Sequence, residues 1–224
     1  MGKNLKNEDA RKNRQYQGQK CIIGLDQSYK RTGISIAVNG KLKKVSSINF
    51  QYVKTKTEKR LLLAKVLEKA IKSCLKKYPP EDIAIVCERI RTYTAGFDLR
   101  PDYLKTTGAL IAYIVDTGYK YGITTYSIDT RAWKSAVLGS SKPIFPPVEG
   151  VKDPQKFGSV AYIIKLGFED SIRGKSNRNK YFMNDDAADG ACIALSPFRA
   201  TRDKFQKEFW KYVEIYLQTI LYLI

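Results

Sequence analysis

Five acidic residues stand at positions from which their side chains could act together. Asp26 closes the apolar run CIIGLD, and Glu88 closes a second run, DIAIVCE. Asp185, Asp186 and Asp189 follow much later, in the segment NDDAADGACIALS. Asp186 and Asp189 are spaced to share one face of a helix, whereas Asp185 would point about 100° away from that face.

An acidic residue at the end of a strongly apolar strand is costly to bury unless it faces a cleft or meets a cation. Neighbouring strands would place Asp26 and Glu88 side by side, and a helix across them would add Asp186 and Asp189. Such a cluster either has raised pKa values or binds hard divalent cations, for which oxygen ligands favour Mg²⁺ or Mn²⁺. Two ions about 3.5–4 Å apart can activate a water and stabilise the leaving oxygen in phosphodiester cleavage.

Each of these acids also has an ordinary structural role open to it. Asp26 could be a turn residue, and Asp186 or Asp189 could be a solvated side chain or a helix N-cap. The set of four is more specific than any of its members. The functional hypothesis therefore depends on their convergence.

The composition narrows the chemistry further. The 224 residues include 40 Lys and Arg against 22 Asp and Glu, giving a formal charge of +18, and there is no histidine. The missing histidine excludes Ser-His-Asp and Cys-His hydrolysis, histidine-ligated zinc and histidine general-base catalysis. The positive charge favours a nucleic-acid partner, because bound phosphates release their counterions. A merely lysine-rich protein and an anionic membrane surface are the alternatives.

The cysteines and the hydropathy pattern bear on the compartment. The four cysteines lie in apolar runs without any C-x-x-C pair, which is typical of small core residues in a reducing compartment. No apolar run reaches the ~18–20 residues of a membrane span, and the polar start has no signal-peptide core. We therefore expect a cytoplasmic protein with no membrane partner and no small-molecule cofactor. The cysteines are Cys21, Cys74, Cys87 and Cys192.

The elements that must position the acids follow from periodicity and turn signals. From residue 21, three strands are expected in succession, with Asn39-Gly40 as a hairpin turn. Later elements alternate between helix and strand, and the third of these helices opens at Asp129 or Thr130 after a short strand. This order predicts an α/β fold with a five-stranded mixed sheet, three antiparallel strands and then two parallel ones, flanked by helices. The later expected elements are a helix over 57–78, a strand over 82–88, a helix over 102–118, a strand over 124–128 and a helix over 154–166.

The chain divides into one domain with two extensions. Residues 1–20 are expected to form a flexible basic arm, and residues 21–198 the folded domain. Residues 199–224 are predicted as a C-terminal helical extension that packs on the domain or contacts a partner. Two long insertions interrupt the domain: a Pro-rich segment at 142–154, here called the proline loop, and a basic segment at 170–183.

Three segments resemble motifs of the RuvC family of Holliday junction resolvases. IIGLDQSYKRTGISIAV is similar to the first-strand motif, IAIVCERI to the second acidic strand, and DDAADGACIAL to the final acidic helix. The resemblance runs in order from about Cys21 to Leu195, and its last motif is the most specific. It implies a ribonuclease H-like fold, a homodimer, and a Mg²⁺-dependent endonuclease that cuts two opposed strands of four-way DNA junctions.

The same resemblance assigns roles to particular residues. Asp26, Glu88, Asp186 and Asp189 would be the metal ligands, for two Mg²⁺ ions with Mn²⁺ as a possible substitute. Asp185 has no counterpart and is interpreted as a supporting or solvent-facing acid.

Basic and aromatic side chains complete the expected site. Lys134 and Lys156 would interact with the scissile phosphate or the transition-state charge. In the segment ERIRTYTAGFDLR, which follows the second acidic strand, the DNA-contacting candidates are Arg89, Arg91 and Tyr93. A stacking side chain at an unpaired base contributes about 1–3 kcal/mol, so a junction-probing role is reasonable. A surface loop with a buried Phe97 is the alternative.

Three other functions compete with junction cleavage. A sugar kinase or actin-like ATPase also begins with an Asp-containing strand and turn, but needs two such domains to enclose a nucleotide. A non-catalytic junction-binding protein would be expected to lack one of the acids, and all four are present. A related nuclease acting on other branched or single-stranded nucleic acid remains open.

Overall fold

A computed structural model of the chain describes residues 18–89, 101–175, 181–200, 206–207 and 209–211. Its strands are β1 (Cys21–Asp26), β2 (Arg31–Val38), β3 (Lys41–Asn49), β4 (Ile83–Glu88), β5 (Thr124–Ile128), β6 (Arg173–Lys175), β7 (Tyr181–Met183) and β8 (Phe209–Lys211). Its α-helices are α1 (Lys56–Leu75), α2 (Pro101–Lys120), α3 (Thr130–Leu138), α4 (Phe157–Lys165), α5 (Glu169–Ile172) and α6 (Asp185–Arg199). Short 3-10 turns cover Pro80–Asp82 and Pro154–Lys156.

The main sheet has the strand order β3-β2-β1-β4-β5-β8. Strands β1, β2 and β3 pair antiparallel, and β4 and β5 add in parallel to β1. The five-stranded mixed sheet expected from the sequence is therefore confirmed. Strands β1 and β4 occupy its centre, where both faces are covered, and this explains their unbroken apolar sequences.

Two apolar cores lie on opposite faces of this sheet. On one face, α1 and α2 pack over inward side chains of β1 and β4 such as Ile23 and Ile85. On the other face, α3, α4 and α6 pack over the alternate side chains, such as Ile22 and Val86. The four cysteines are buried, as expected for small core residues, and no disulfide joins them.

Helix α6 lies directly on the backbone of β1 and β2. A Cβ added to Gly24 would lie 2.3 Å from the amide nitrogen of Ala194, and one added to Gly33 would lie 1.8 Å from the carbonyl oxygen of Asp186. On the helix side, a Cβ on Gly190 would lie 2.9 Å from the carbonyl carbon of Gly33. Three glycines thus permit the backbone contact that brings the first turn of α6 to the end of β1.

Among the described residues of the C-terminal extension, one short segment differs from the expected helix. Residues Phe209–Lys211 form the strand β8, which pairs antiparallel with β5 and adds a sixth strand to the sheet. Aromatic residues favour strands, and the outer edge of β5 offers unpaired backbone groups that a helix could not satisfy.

The basic insertion at 170–183 also contains regular structure. It includes the end of α5 and a hairpin formed by β6 and β7. Within the part of the chain described above, no helix is both long and apolar enough to cross a membrane.

Candidate active site

Asp26 and Glu88 end adjacent parallel strands, as the sequence predicts. The register pairs Leu25 with Cys87, so the two acids follow side by side. The Gln27 side chain then extends the pairing: its Nε2 donates to the carbonyl oxygen of Glu88 at 2.5 Å, and its Oε1 accepts from the Glu88 amide at 3.1 Å. Gln27 therefore fixes the ends of both strands relative to each other.

The Glu88 carboxylate is oriented by the beginning of α3. The hydroxyl of Thr130 donates a hydrogen bond to its Oε1. Asp129 is the N-cap of this helix, and its Oδ1 accepts from the Arg131 amide at 2.7 Å. Because the cap fixes where α3 begins, it also fixes the hydroxyl that holds Glu88.

Asp186 and Asp189 reach the same place from the opposite side, on α6. The side chain of Asn184 caps the helix by accepting from the Ala187 amide at 3.1 Å. Asp189 is only 2% exposed, and its Oδ1 is buried without a hydrogen-bond partner among the described residues. A buried carboxylate oxygen without a partner is costly, so this atom is suited to bind a cation.

Lys156 supplies the positive charge within this acidic group. Its Nζ donates to Oδ2 of Asp189 and lies 3.8 Å from Oδ2 of Asp26. Burial works against the ammonium charge, but Asp189 and Asp26 together raise the pKa of Lys156 above its ordinary value. Lys156 therefore remains protonated and partly neutralises the two most buried acids.

The pKa of Asp26 shows that the four carboxylates share one electrostatic environment. Burial raises this pKa well above its ordinary value, and Asp189, Glu88 and Asp186 each raise it further, while Lys156 opposes them. The Asp26 side chain is only 14% exposed, so little water screens these interactions. Glu88, Asp186 and Asp189 therefore lie close enough to Asp26 for their charges to act on it.

Asp186 lies at the more open side of the group. Burial and the neighbouring Asp185 raise its pKa to about 6, against the opposing effects of Lys156 and Arg31. The guanidinium of Arg31 lies 3.8 Å from Asp186 and 5.2 Å from the centre of the Phe182 ring. Asp185, which has no counterpart in the family motif, therefore acts on Asp186 through its charge.

These shifts predict a pH-dependent stability in the absence of divalent cations. A carboxyl group whose pKa is raised by folding favours the folded state at low pH, and this contribution is lost as pH rises through about 6. With a chelator present, Asp186→Asn should therefore raise the free energy of unfolding at pH 7.5 by on the order of 2 kcal/mol, and by much less at pH 4. Urea unfolding at both pH values measures this, with the exposed Asp170→Asn as control. Equal effects of the two substitutions would contradict it.

Lys134 occupies a different position from Lys156. It is 9% exposed, and its Nζ donates to the carbonyl oxygen of Gln155 at 3.2 Å and lies 5.5 Å from the Trp133 ring centre. Its charge nevertheless reaches the same region: burial and Asp189 raise the pKa of Cys192, one turn further along α6, and Lys134 and Lys156 both oppose that rise. Of these two lysines, only Lys156 contacts the carboxylates among the described residues.

The DNA-contacting candidates are placed only in part. Arg89 is exposed directly after β4, and its amide donates to the carbonyl oxygen of Ile128 at 2.8 Å. Arg91, Tyr93 and Phe97 lie outside the described residues. Their assignment remains a prediction from the sequence.

The donor set of the site fits a hard divalent cation in its chemistry. It consists of carboxylate oxygens alone, and one of them, Oδ1 of Asp189, is buried and unpartnered. Within 18–89, 101–175 and the other described stretches, however, no three acidic or cysteine side chains are grouped closely enough to hold an ion. The Lys156 ammonium lies against Asp189 and Asp26 instead. The residues therefore fit the cation in type, although the described side chains are not drawn together as ligands.

Three positioning residues were not identified from the sequence. Gln27 directly follows β1, Arg31 is the first residue of β2, and Thr130 is the first residue of α3. Gln27 directly follows a predicted acid, and Thr130 was considered only as a helix cap. Their contacts are with residues distant in the chain, so local sequence patterns carried little signal for them.

Searches with protein-family models and against curated protein sequences give no match. Among solved structures, Thermus thermophilus RuvC in complex with a Holliday junction substrate is 12% identical, with a TM-score of 0.54, covering 84% of this chain and 96% of that chain. Another Thermus thermophilus RuvC structure is 13% identical, with a TM-score of 0.53, covering 85% of this chain and 99% of that one. The yeast mitochondrial Holliday junction resolvase Ydc2 is 18% identical, with a TM-score of 0.47 and coverages of 88% and 85%. The two RuvC structures establish that the fold is RuvC-like, of the ribonuclease H-like type.

Proposed function

We propose that this protein is a Mg²⁺-dependent endonuclease that resolves four-way (Holliday) junctions by paired phosphodiester cleavage, acting as a homodimer. The observation that carries the proposal is that four carboxylates from three elements interact: Glu88, Asp186 and Asp189 all raise the pKa of Asp26. Such a concentration of negative charge at the end of a buried strand is costly for folding. Bound cations would offset this cost, as is expected at a functional site.

The carboxylates would hold the cations, for which two Mg²⁺ ions, or Mn²⁺ in their place, are the proposed occupants. When bound, they would activate a water and stabilise the leaving oxygen. Asp26 and Asp189 present the most buried oxygens, and Thr130 keeps the Glu88 carboxylate turned into the site. Asp186 completes the set from the open side.

Lys156 and, more distantly, Lys134 are the proposed cationic partners of the phosphate. Lys156 already lies against Asp26 and Asp189, so a phosphate held at those acids would come within reach of its ammonium. Without histidine in the chain, lysine and arginine supply the positive side chains near the cut.

Selectivity for branched DNA is supported by charge and by fold. The net charge of +18 suits a partner that presents several phosphate backbones at once. A RuvC structure with the same fold is bound to a Holliday junction substrate. Arg89, Arg91 and Tyr93 follow β4 directly after the Glu88 ligand, and we assign them to DNA contacts near the branch.

A gel assay on synthetic DNA tests this proposal. Four-way, three-way, linear duplex and single-stranded substrates are incubated with the protein, with and without Mg²⁺. We expect paired cuts in the four-way junction only when Mg²⁺ is present. Equal cutting of linear duplex would reject the junction-selective function, and preferential cutting of another substrate would favour a related nuclease. Junction binding without any cleavage would favour a non-catalytic role.

Cation binding should be visible without any substrate. At Mg²⁺ or Mn²⁺ concentrations about ten times the dissociation constant, the melting temperature of the wild-type protein should rise by about 3–6 °C. Bound cations relieve the repulsion that raises the pKa of Asp26, which stabilises the fold. A chelator removes the cations and should therefore reverse the rise. Asp26→Asn should lose most of the effect, whereas the exposed Asp170→Asn should keep it. A rise of the same size in both variants would mean that the cations bind elsewhere.

A further inference from the structure

A second feature lies beside the acidic site. An open cavity of about 560 Å³ lies between the beginning of α3, the proline loop and the start of α4, and is here called the proline-loop cavity. Its lining includes three cations and several large apolar side chains, and none of its described lining residues is acidic. The side chains that matter here are Arg131, Lys134, Lys142, Ile144, Phe145 and Phe157. The lining is therefore suited to a ligand with a negative group and an apolar or aromatic group.

The proline loop is fixed to the domain at two points. Phe145 packs on α4, where a Cβ added to Gly158 would lie 2.9 Å from its ring. Further along, the carbonyl oxygen of Gly150 accepts from the Met183 amide of β7 at 3.1 Å. Ile144, directly before the first of these anchors, is 98% exposed. The loop thus holds a large aliphatic side chain in solvent on a restrained backbone.

The cavity is connected to the acidic site through two of its lining residues. Thr130 lines the cavity and donates to Glu88. Gln155 also lines it, and the next residue, Lys156, contacts Asp189. A ligand in the proline-loop cavity would therefore lie immediately next to the atoms proposed to cut DNA.

A smaller cavity of about 360 Å³ lies on the other side of the site. It is lined by Asp186 together with the cations Lys30, Arg31 and Lys59. In the strand order it belongs to the β2 and β3 side, whereas the proline-loop cavity belongs to the β5 side. The four carboxylates therefore stand between two cation-lined cavities, as a DNA strand passing over them would require.

From this arrangement we infer that the proline-loop cavity binds an unpaired nucleotide next to the scissile phosphate. Its base would pack against Ile144, and its phosphate would contact Arg131 and Lys142. The volume lies within the range of about 300–1,000 Å³ that small ligands occupy. Apolar side chains such as isoleucine insert against bases in other DNA complexes, and three cations without an acid favour a phosphate. The inference rests on the proposed nuclease function and adds a site for a base beside it.

Equilibrium binding to modified junctions tests the inference. All proteins carry Asp26→Asn so that no cleavage intervenes, and the probe is a four-way junction with 2-aminopurine, or an abasic site, beside the branch. The test variant is Lys142→Ala with Ile144→Ala. The matched control is Leu61→Ala with Lys65→Ala on α1, where Leu61 is 55% exposed on the opposite face of the sheet.

We expect the Asp26→Asn protein and the control to raise 2-aminopurine fluorescence as the base leaves the stack. The test variant should lose this signal and bind about tenfold more weakly. Its salt dependence should be shallower by about one phosphate contact. On the abasic junction, the affinities of the test variant and the Asp26→Asn protein should differ much less.

Other outcomes would overturn the inference. A fluorescence change that survives in the test variant, or equal weakening by variant and control, would show that the cavity holds no base. A change only in the sedimentation of the DNA-free protein would show that the proline loop contacts a second copy of the chain. If the wild-type protein cleaves the junction but the fluorescence and affinity effects are absent, the nucleotide site is rejected and the proposed nuclease function stands. If the fluorescence effects are present but the wild-type protein does not cleave the junction, the nuclease function is rejected and the cavity is still a DNA-binding site.

Discussion

Asp26→Asn should abolish Mg²⁺-dependent junction cleavage while leaving junction binding nearly intact. Asparagine keeps the shape of the side chain but removes the charge at the centre of the four-acid group, where burial and three other acids act on one carboxyl group. We expect the single-turnover rate to fall by at least about 1,000-fold, or about 4 kcal/mol in activation free energy. The dissociation constant should change by no more than about threefold. Gel-based cleavage and binding on the same junction measure both quantities.

Two further variants distinguish a loss of catalysis from a loss of folding. Asp186→Asn should reproduce the loss of cleavage, because Asp186 belongs to the same group. Asp170→Asn, which removes an equal charge from an exposed position in α5, should cut at the wild-type rate. If both active-site variants retained cleavage, the assignment of the active site would be wrong.

Gly33→Ala should cost about 2–3 kcal/mol of folding free energy and remove cleavage together with metal binding. The added Cβ would lie 1.8 Å from the carbonyl oxygen of Asp186, and this neighbour is helix backbone that cannot rotate aside. Relief requires α6 to move away from β2. Because Asp26 pairs with Gly33 in the sheet, that movement separates Asp186 from Asp26. Urea unfolding and the Mg²⁺-dependent thermal shift measure the two effects.

The chain offers a matched control for this substitution. Gly108 lies within α2, and a Cβ added there would meet no atom within 4 Å. Gly108→Ala should therefore stabilise the protein by about 0.5–1 kcal/mol, as alanine does in a helix interior, and leave cleavage unchanged. If Gly33→Ala behaved like Gly108→Ala, the close contact between α6 and the sheet would not be what positions the acids.

Much of the fold could be predicted because its signals are local. The apolar sequences around Asp26 and Glu88 predicted buried strands ending in acids, and the spacing of Asp186 and Asp189 predicted one helix face. Both expectations hold in the structure. The strand at Phe209–Lys211 was predicted as helix, because its pairing with the edge of β5 depends on a partner more than eighty residues away in the chain.

The sequence by itself determined the type of chemistry. The absence of histidine excludes imidazole catalysis. Four carboxylates and a charge of +18 favour metal-dependent catalysis on a polyanionic substrate. These conclusions depend on residue types and short spacings, which do not require knowledge of long-range contacts. The same holds for the order of strands and helices, since hydrophobic periodicity and turn residues are local properties.

Only the tertiary structure decided which basic side chains and which polar side chains complete the site. Lys134 and Lys156 are equivalent in sequence terms, yet only Lys156 contacts the carboxylates among the described residues. Thr130 orients Glu88 and Arg31 approaches Asp186 across long chain separations. The proline loop becomes a cavity wall only where it meets α3 and α4. The physical reason is common to all of these: packing of distant segments sets the distances between charges, and local sequence patterns carry no information about those distances.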